Sequence, residues 1–221
     1  MNRALLRVDM HLHTDRSFDC LSRPEAVLAA ARVRGLDRII VTDHNEIEGA
    51  LRLHEMDPDR VIVGEEVKTA EGFDVIGIFV TELIPRGTPA RETCHRILEQ
   101  GGVVYLPHPF DGSRSGGRGG LKAIADLVDI VEVHNARCWP PRLNEAARTW
   151  AEEKDKLMGA GSDAHTVAEL GRSYVELPPF ETSRSSFLDA ISRGTVVGRS
   201  TSPAYRLAST WAKVVKMVKG E

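Results

Sequence analysis

The sequence predicts an α/β protein with a mainly parallel β-sheet, and three observations lead to this fold class. Short apolar runs alternate with longer amphipathic runs along the chain, which is typical of repeated βαβ units. The 221 residues suffice for one sizeable core, so we expect a single domain spanning 1–221. Histidines and acidic residues collect at the C-terminal ends of the predicted strands, which favours a barrel.

The first half of the chain shows the alternation most clearly. ALLRVDMHLH predicts a strand, and PEAVLAAARVRGL predicts a helix with Pro24 at its start and Gly35 at its end. DRIIVTDH predicts the second strand, and a helix follows near EIEGALRLHEM. RVIVGEEV and FDVIGIFV predict the next strands, and the helix PARETCHRILEQ ends at Gly101 and Gly102.

The second half continues in the same way. GVVYLPH, DIVEVHN and KLMGAGSDAH predict strands, with helices over LKAIADL and RLNEAARTWAEEK between them. SYVELP, SSFLDAIS and GTVVGRS extend the alternation. A terminal amphipathic helix at about 205–218 is expected to pack on the barrel and to turn a basic face to solvent. The Gly-rich stretch 112–120 predicts a mobile loop.

The composition excludes several classes of function. A formal net charge of −3 and a pI near 6.3 give no electrostatic case for sequence-independent binding to nucleic acid or to a membrane. No signal peptide is expected, and no apolar run approaches the roughly 18 residues of a membrane-spanning helix. Three widely spaced cysteines argue against a disulfide framework, so we expect a cytoplasmic protein.

The first strand has two chemically different faces. Strict alternation places Leu6, Val8, Met10 and Leu12 on one face and Arg7, Asp9, His11 and His13 on the other. The apolar face would pack on helices, and the polar face would line the barrel. Two imidazoles on one face can bind one cation together.

Six short motifs carry the histidines and acidic residues in chain order: HLHTDRSFD, TDHN, GEEV, PHP, VEVHN and GSDAH. Together they resemble the metal-binding motifs of the polymerase and histidinol phosphatase (PHP) domain family, over residues 9–172. The resemblance implies a distorted seven-stranded (β/α)7 barrel with two or three divalent metals at the C-terminal ends of its strands. It also implies phosphoester hydrolysis.

The resemblance assigns the metal ligands residue by residue. The first metal would be held by His11, His13 and Asp163, and the third by Asp19, His44 and His165. Glu66 would bridge two metals, and His108 would bind the second. Glu65 is the alternative to Glu66, because a slip of one residue exchanges their faces. The residues expected to be catalytic are Glu66, Asp163, His165 and Arg137.

The second metal lacks one histidine that many family members supply soon after the bridging glutamate. Asp74 lies near that point of the sequence, and His134 in VEVHN is another candidate. The alternative for His134 is a hydrogen-bonded histidine at a strand end. Without either residue, the second site would be weaker.

The remaining polar residues suggest substrate binding and support of the ligands. Arg137, Arg114 and Arg118 are candidates for binding a phosphate. For Arg114 and Arg118, a solvated flexible loop is the favoured interpretation. Asp43 and Asn45 would orient ligands. Asp9 would do the same or form a salt bridge with Arg7.

The ligand chemistry leads to a predicted reaction. Imidazole and carboxylate together suit Mn²⁺, Fe²⁺ or Zn²⁺. Two such metals can share a hydroxide, which is a nucleophile near neutral pH, and can offset phosphoryl charge. We therefore expect hydrolysis of a small phosphorylated metabolite or nucleotide. The alternatives are a 3′-to-5′ exonuclease, a catalytically idle binding module, and hydrolysis at carbon.

Overall fold

The computed structural model describes residues 5–112 and 118–220, which form one mixed sheet surrounded by helices. The strands are β1 (Leu6–Leu12), β2 (Arg38–Val41), β3 (Val61–Lys68), β4 (Asp74–Ile78), β5 (Val103–Leu106), β6 (Ile130–Asn135), β7 (Leu157–Gly161), β8 (Ser173–Leu177) and β9 (Thr195–Gly198). The helices are α1 (Pro24–Val33), α2 (Glu48–Met56), α3 (Ala90–Glu99), α4 (Arg118–Ile124), α5 (Arg142–Glu153), α6 (Arg184–Ser192) and α7 (Tyr205–Lys219).

The sheet curls until its seventh strand approaches its first. The strand order is β7-β6-β5-β4-β3-β2-β1-β8-β9. Beyond the C-terminal end of β7, the backbone N–H of Asp163 donates to the carbonyl of His11 at 2.7 Å, and the N–H of His13 donates to the carbonyl of Ala164 at 3.0 Å. These bonds nearly close β1–β7 into a barrel, while β8 and β9 extend the sheet past β1.

The sheet is less parallel than the sequence predicts. β1–β2–β3 and β5–β6–β7 are parallel, but β4 is antiparallel to both neighbours, as are the β1–β8 and β8–β9 pairs. The prediction of seven mainly parallel strands is therefore not confirmed. One cause is visible between β3 and β4, where residues 69–73 are too few for a crossover helix and form a hairpin instead.

The first strand does not follow the alternation expected of it. Val8 and Met10 belong to an inner core with Tyr105 and side chains from the other barrel strands, whereas Leu12 packs outside with helix residues such as Leu28. The register of β1 against β2 shifts between residues 9 and 12. Such an irregularity adds a residue to one strand and exchanges its faces. The predicted grouping of Val8 and Met10 with Leu12 is wrong for this reason.

The terminal helix α7 differs from the expectation of a solvated basic face. Its Lys216 is 6% exposed, and the ammonium group donates to the backbone carbonyls of Asp15 and Ser17. Large apolar side chains of α7 face solvent instead: Leu207, Trp211, Val214, Met217 and Val218. Among the described residues, no helix is both long and apolar enough to cross a membrane.

The Gly-rich stretch lies partly outside the described residues. Residues 113–117 of the predicted loop, which include Arg114, lie outside the described residues. Residues 118–120 begin helix α4 rather than continuing a loop. The side chain of Arg118 is not among the described ones.

Candidate metal centre

The eight ligands named from the sequence lie together at the C-terminal mouth of the barrel. They are His11, His13, Asp19, His44, Glu66, His108, Asp163 and His165, and short contacts link all of them into one cluster. All are buried except His44, which is partly exposed. Because parallel strands end at one edge of a barrel, residues spread over more than 150 positions meet there.

Glu66 occupies the middle of the cluster. Its Oε1 lies 3.0 Å from His108 Nε2, and its Oε2 lies 3.1 Å from His44 Nδ1 and 3.3 Å from His11 Nε2. The two carboxylate oxygens thus face different imidazoles. This arrangement fits a carboxylate that bridges two cations.

A second set of contacts surrounds Asp163 and Asp19. Asp163 Oδ1 lies 3.3 Å from His13 Nε2 and 3.5 Å from His165 Nδ1. Asp19 Oδ1 lies 3.2 Å from His165 Nε2 and 3.7 Å from His44 Nε2.

Three groups of ligand atoms each fall within 4.8 Å of one another. They are His11–His13–Asp163, His11–Glu66–His108 and His13–His44–His165.

Neighbouring acceptors fix which nitrogen faces the cluster for three of the imidazoles, those of His11, His13 and His165. His11 Nδ1 lies 3.0 Å from Glu132 Oε1, and His13 Nδ1 lies 3.1 Å from Ser17 Oγ. His165 Nδ1 lies 2.9 Å from its acceptor, the backbone carbonyl of Asp163. In each case Nδ1–H donates outward and leaves Nε2 directed at the shared space, which is how a ligating histidine is oriented.

The electrostatics of the cluster call for positive charge. Burial would lower the pKa of His11, but Glu132, Glu66 and Asp163 outweigh it and raise that pKa well above its ordinary value. Burial lowers the pKa of His13 well below its ordinary value, with the imidazoles of neighbouring histidines adding to the effect. The two neighbouring imidazoles therefore differ: the pKa shift favours the protonated form of His11 and the neutral form of His13.

Carboxylates at the mouth keep their negative charge despite burial. Burial favours the neutral form of Asp19, but His165 and His44 outweigh it and lower the pKa of that carboxyl. The pKa of Glu66 is likewise lowered, because His44 and His11 outweigh its burial. Buried charge without compensation is costly, and the mixed imidazole–carboxylate donor set fits divalent Mn, Fe or Zn. The residues present thus fit the metals that the sequence predicts.

The three less certain ligands, Asp74, Glu65 and His134, occupy different positions relative to the cluster. Asp74 points to the same side as Glu66, and its buried Oδ1 has no hydrogen-bond partner, while Oδ2 binds Lys68 at 2.8 Å. Glu65 points the other way and accepts from the backbone N–H of Ile84 at 2.9 Å. Burial raises the pKa of Glu65 to about 7. Asp74 therefore lies on the same side of the sheet as Glu66, whereas Glu65 lies outside the cluster.

His134 also lies outside the cluster. Its Nδ1 lies 2.9 Å from Ser173 Oγ in β8, and its ring is so close to Gly198 of β9 that a Cβ there would lie 2.2 Å from Nδ1. The structure thus agrees with the alternative of a hydrogen-bonded histidine at a strand end.

Two supporting residues escaped the sequence analysis. Glu132 is fully buried and accepts from His11 Nδ1, from the backbone N–H of His108 and from Asn135 Nδ2. A charged residue inside the apolar run DIVEVHN was the available signal. Ser17 accepts from His13 Nδ1 and from the backbone N–H of His44, and it donates to Asp43 Oδ1 at 2.7 Å. Nothing in the sequence marks a loop serine for this role.

The residues expected to orient ligands accept hydrogen bonds from backbone N–H and hydroxyl groups around the cluster. Asp43 also accepts from the backbone and hydroxyl of Thr14, both at 2.6 Å, and so fixes the loop after β1. Asn45 accepts from the backbone N–H of Lys68 at 2.8 Å. Asp9 accepts from the N–H groups of Ser162 and Gly171, at 2.8 and 2.9 Å, rather than pairing with Arg7.

The cluster opens into a cavity of about 310 Å³. Its lining combines ligands with cationic and hydroxyl side chains: Asp19, His44, Arg137, His165, Arg206, Ser209, Thr210 and Lys213. Arg137 Nη2 donates to Ser209 Oγ at 2.9 Å, and Nε lies 3.3 Å from buried Glu169 Oε1. The guanidinium is thereby held at the cavity wall, where the sequence places a phosphate-binding group.

The chain belongs to the PHP domain family. Residues 9–106 match the PHP domain, and residues 141–196 match the segment described as PHP-associated. The first match contains His11 on β1, Glu66 on β3 and His44 after β2.

The chain also resembles other known proteins, one in sequence and others in fold. An uncharacterized protein of Methanocaldococcus jannaschii, MJ0417, is 32% identical over 197 residues, which cover 84% of this chain and 79% of that protein. A proposed metal-dependent phosphoesterase from Bifidobacterium adolescentis superposes with a TM-score of 0.61 at 20% identity, covering 85% of this chain and 96% of the other. The lesion-specific endonuclease PfuEndoQ from Pyrococcus furiosus has a TM-score of 0.66 at 16% identity, covering 90% of this chain and 60% of that one. These structures share the fold with this chain.

Proposed function

We propose that this protein is a metal-dependent phosphoesterase that hydrolyses a small phosphorylated metabolite or nucleotide. The observation that carries the proposal is the overlap of a buried cation centre with a cavity bearing cationic side chains. Asp19, His44 and His165 belong to both, so an anion in the cavity would contact the cluster directly.

The residues divide into three metal positions. The first would be held by His11, His13 and Asp163, the second by Glu66, His108 and Asp74, and the third by Asp19, His44 and His165. Divalent ions bound there would lower the pKa of a water molecule and neutralise phosphoryl oxygens.

The chain's own groups would position the substrate. Arg137 can donate two N–H groups to phosphate oxygens in a fixed geometry, and its contacts with Glu169 and Ser209 preorganise it. A thiol nucleophile is not part of the proposal, since Cys20 is buried and burial raises its pKa to about 12.

Two adjacent carboxylates provide the test. Glu66→Gln should abolish phosphate release from a panel of phosphomonoesters with added Mn²⁺ and should lower the metal content measured by elemental analysis. Glu65→Gln is the matched control, because Glu65 is equally buried but faces away from the cluster. This variant should retain both phosphate release and metal content. Circular dichroism checks that both variants fold.

Two outcomes would contradict the proposal. An active Glu66→Gln protein with full metal occupancy would remove Glu66 from the bridging role. Release of nucleotides from a single-stranded oligonucleotide, faster than phosphate from any monoester and strongly salt-dependent, would replace the small substrate by nucleic acid.

A further inference from the structure

We infer that helix α7 completes the substrate pocket, with Arg206 and Lys213 forming a phosphate subsite that selects terminal phosphomonoesters over phosphodiesters. The inference rests on the proposed function and narrows its substrate class. The helix lies outside residues 9–106 and 141–196, which the family matches cover.

One side of α7 faces the cavity. Its contributions are Arg206, Ser209, Thr210 and Lys213, spaced three or four residues apart as one helix face requires. They stand opposite His44 and His165, so α7 forms a wall of the same cavity into which the metal cluster opens.

The wall is cationic. Two cations of α7, Arg206 and Lys213, line the cavity, and the helix contains no acidic residue. Arg206 Nη2 donates to the backbone carbonyl of Arg137 at 2.9 Å and lies 4.0 Å from Asp111 Oδ2. The Arg206 side chain is thus held against the backbone of Arg137, and both arginines line the cavity.

Lys213 lies beside Asp19 in the lining of the cavity. Its ammonium lies 3.8 Å from Asp19 Oδ2 and 5.0 Å from the centre of the Phe18 ring. Asp19 is also a predicted metal ligand. When that carboxylate is committed to a cation, the ammonium beside it is available to an anion bound at the same place.

The helix is fixed in this position by contacts with the site itself. Arg137 donates to Ser209, and buried Lys216 donates to the carbonyls of Asp15 and Ser17 in the loop after β1. The cations of α7 are therefore held beside the cluster rather than carried on a free terminal segment.

This geometry favours one kind of ester. A phosphomonoester is doubly charged near neutral pH, whereas a diester carries one charge. The three cations of the cavity, Arg137, Arg206 and Lys213, therefore stabilise a bound monoester more than a bound diester. An internal diester also has a substituent on both sides of its phosphate, so the site would have to be open in two directions. The cavity of about 310 Å³ has α7 along one side, which favours a phosphate that enters by its end.

The experiment compares p-nitrophenyl phosphate with bis(p-nitrophenyl) phosphate on the Mn²⁺-loaded full chain. Lys213→Ala and Arg206→Ala should each lower kcat/KM for the monoester about tenfold or more, mainly through KM, and should narrow the preference over the diester. Lys213→Arg should restore much of the loss. Lys219→Ala, on the same helix but outside the cavity, should behave as wild type.

Two further measurements separate the possible failures. The affinity for inorganic phosphate, measured by titration calorimetry, should be lower in Lys213→Ala than in the wild type. The metal content and the melting temperature should stay unchanged. Wild-type kinetics in both alanine variants would overturn the subsite, and loss of metal from Lys213→Ala would show that the lysine supports Asp19 instead. If the wild type hydrolyses neither ester, the proposed function fails, whereas the phosphate-binding comparison still decides the subsite.

Discussion

The hydrogen bonds of Glu132 to the candidate ligands lead to a quantitative prediction. This carboxylate accepts three hydrogen bonds, from His11 Nδ1 at 3.0 Å, from the His108 backbone at 2.8 Å and from Asn135 Nδ2 at 2.9 Å. In Glu132→Gln one oxygen becomes an NH₂ group, which donates and cannot accept. Whichever way the amide turns, at least one buried donor loses its acceptor.

The substitution Glu132→Gln should lower both the folding stability and the affinity for metal. An unsatisfied buried donor costs about 1–3 kcal/mol of folding free energy. Loss of the group that orients a ligating histidine typically weakens metal binding by about 10–100-fold. We therefore expect Glu132→Gln to fold, to melt at a lower temperature, and to bind Mn²⁺ or Zn²⁺ one to two orders of magnitude more weakly.

Competition titration against a chelator measures this affinity directly. Glu65→Gln is again the matched control, because Glu65 is equally buried but accepts a single backbone bond outside the cluster. The reasoning is refuted if Glu132→Gln binds metal as tightly as the wild type. It is also refuted if both glutamine variants lose metal equally, since the effect would then come from burial alone.

Three further predictions test other parts of the centre. Ser17→Ala removes the acceptor of His13 Nδ1 and should weaken metal binding about tenfold, and unchanged affinity in the same titration would exclude this role. Gly161→Ala should lower the free energy of unfolding by about 1–3 kcal/mol in urea denaturation, because its Cβ would lie 2.3 Å from the Cβ of His11; a neutral effect would contradict the close packing of β7 on β1. The apparent metal affinity should rise through neutral pH by about tenfold per pH unit, because the raised pKa of His11 keeps a proton on this ligand that competes with the metal. Equal affinities at pH 6 and pH 8 would argue against such competition at His11.

The resemblance to the PHP family assigned the ligand residues, and the sequence itself placed their motifs at the ends of predicted strands. Each motif marks the end of a strand, and the geometry of a barrel brings these ends to one mouth. The structure accordingly places His11, Glu66 and Asp163 in one cluster. The choice of Glu66 over Glu65 agrees with the alternation of faces along β3.

The rest depended on interactions between distant segments. The register shift in β1 leaves no mark in the apolar pattern, so the faces of Val8 and Met10 were misassigned. Glu132 could be recognised only as an anomaly inside an apolar strand, since its partners lie 24 and 121 residues away.

Helix α7 posed a similar difficulty. Its lysines indicated a solvated face, but Lys216 is buried against backbone carbonyls about 200 residues earlier in the chain. A pattern of charge along one helix does not show which carbonyl groups another segment leaves without donors.

The most direct test of the metal centre is the metal content of freshly purified protein, measured by elemental analysis and coupled to a phosphate-release screen with added Mn²⁺. We predict two or three divalent ions per chain and release of phosphate from phosphomonoesters. A protein that binds no metal after reconstitution, while folded, would contradict the assignment of the cluster as a metal centre.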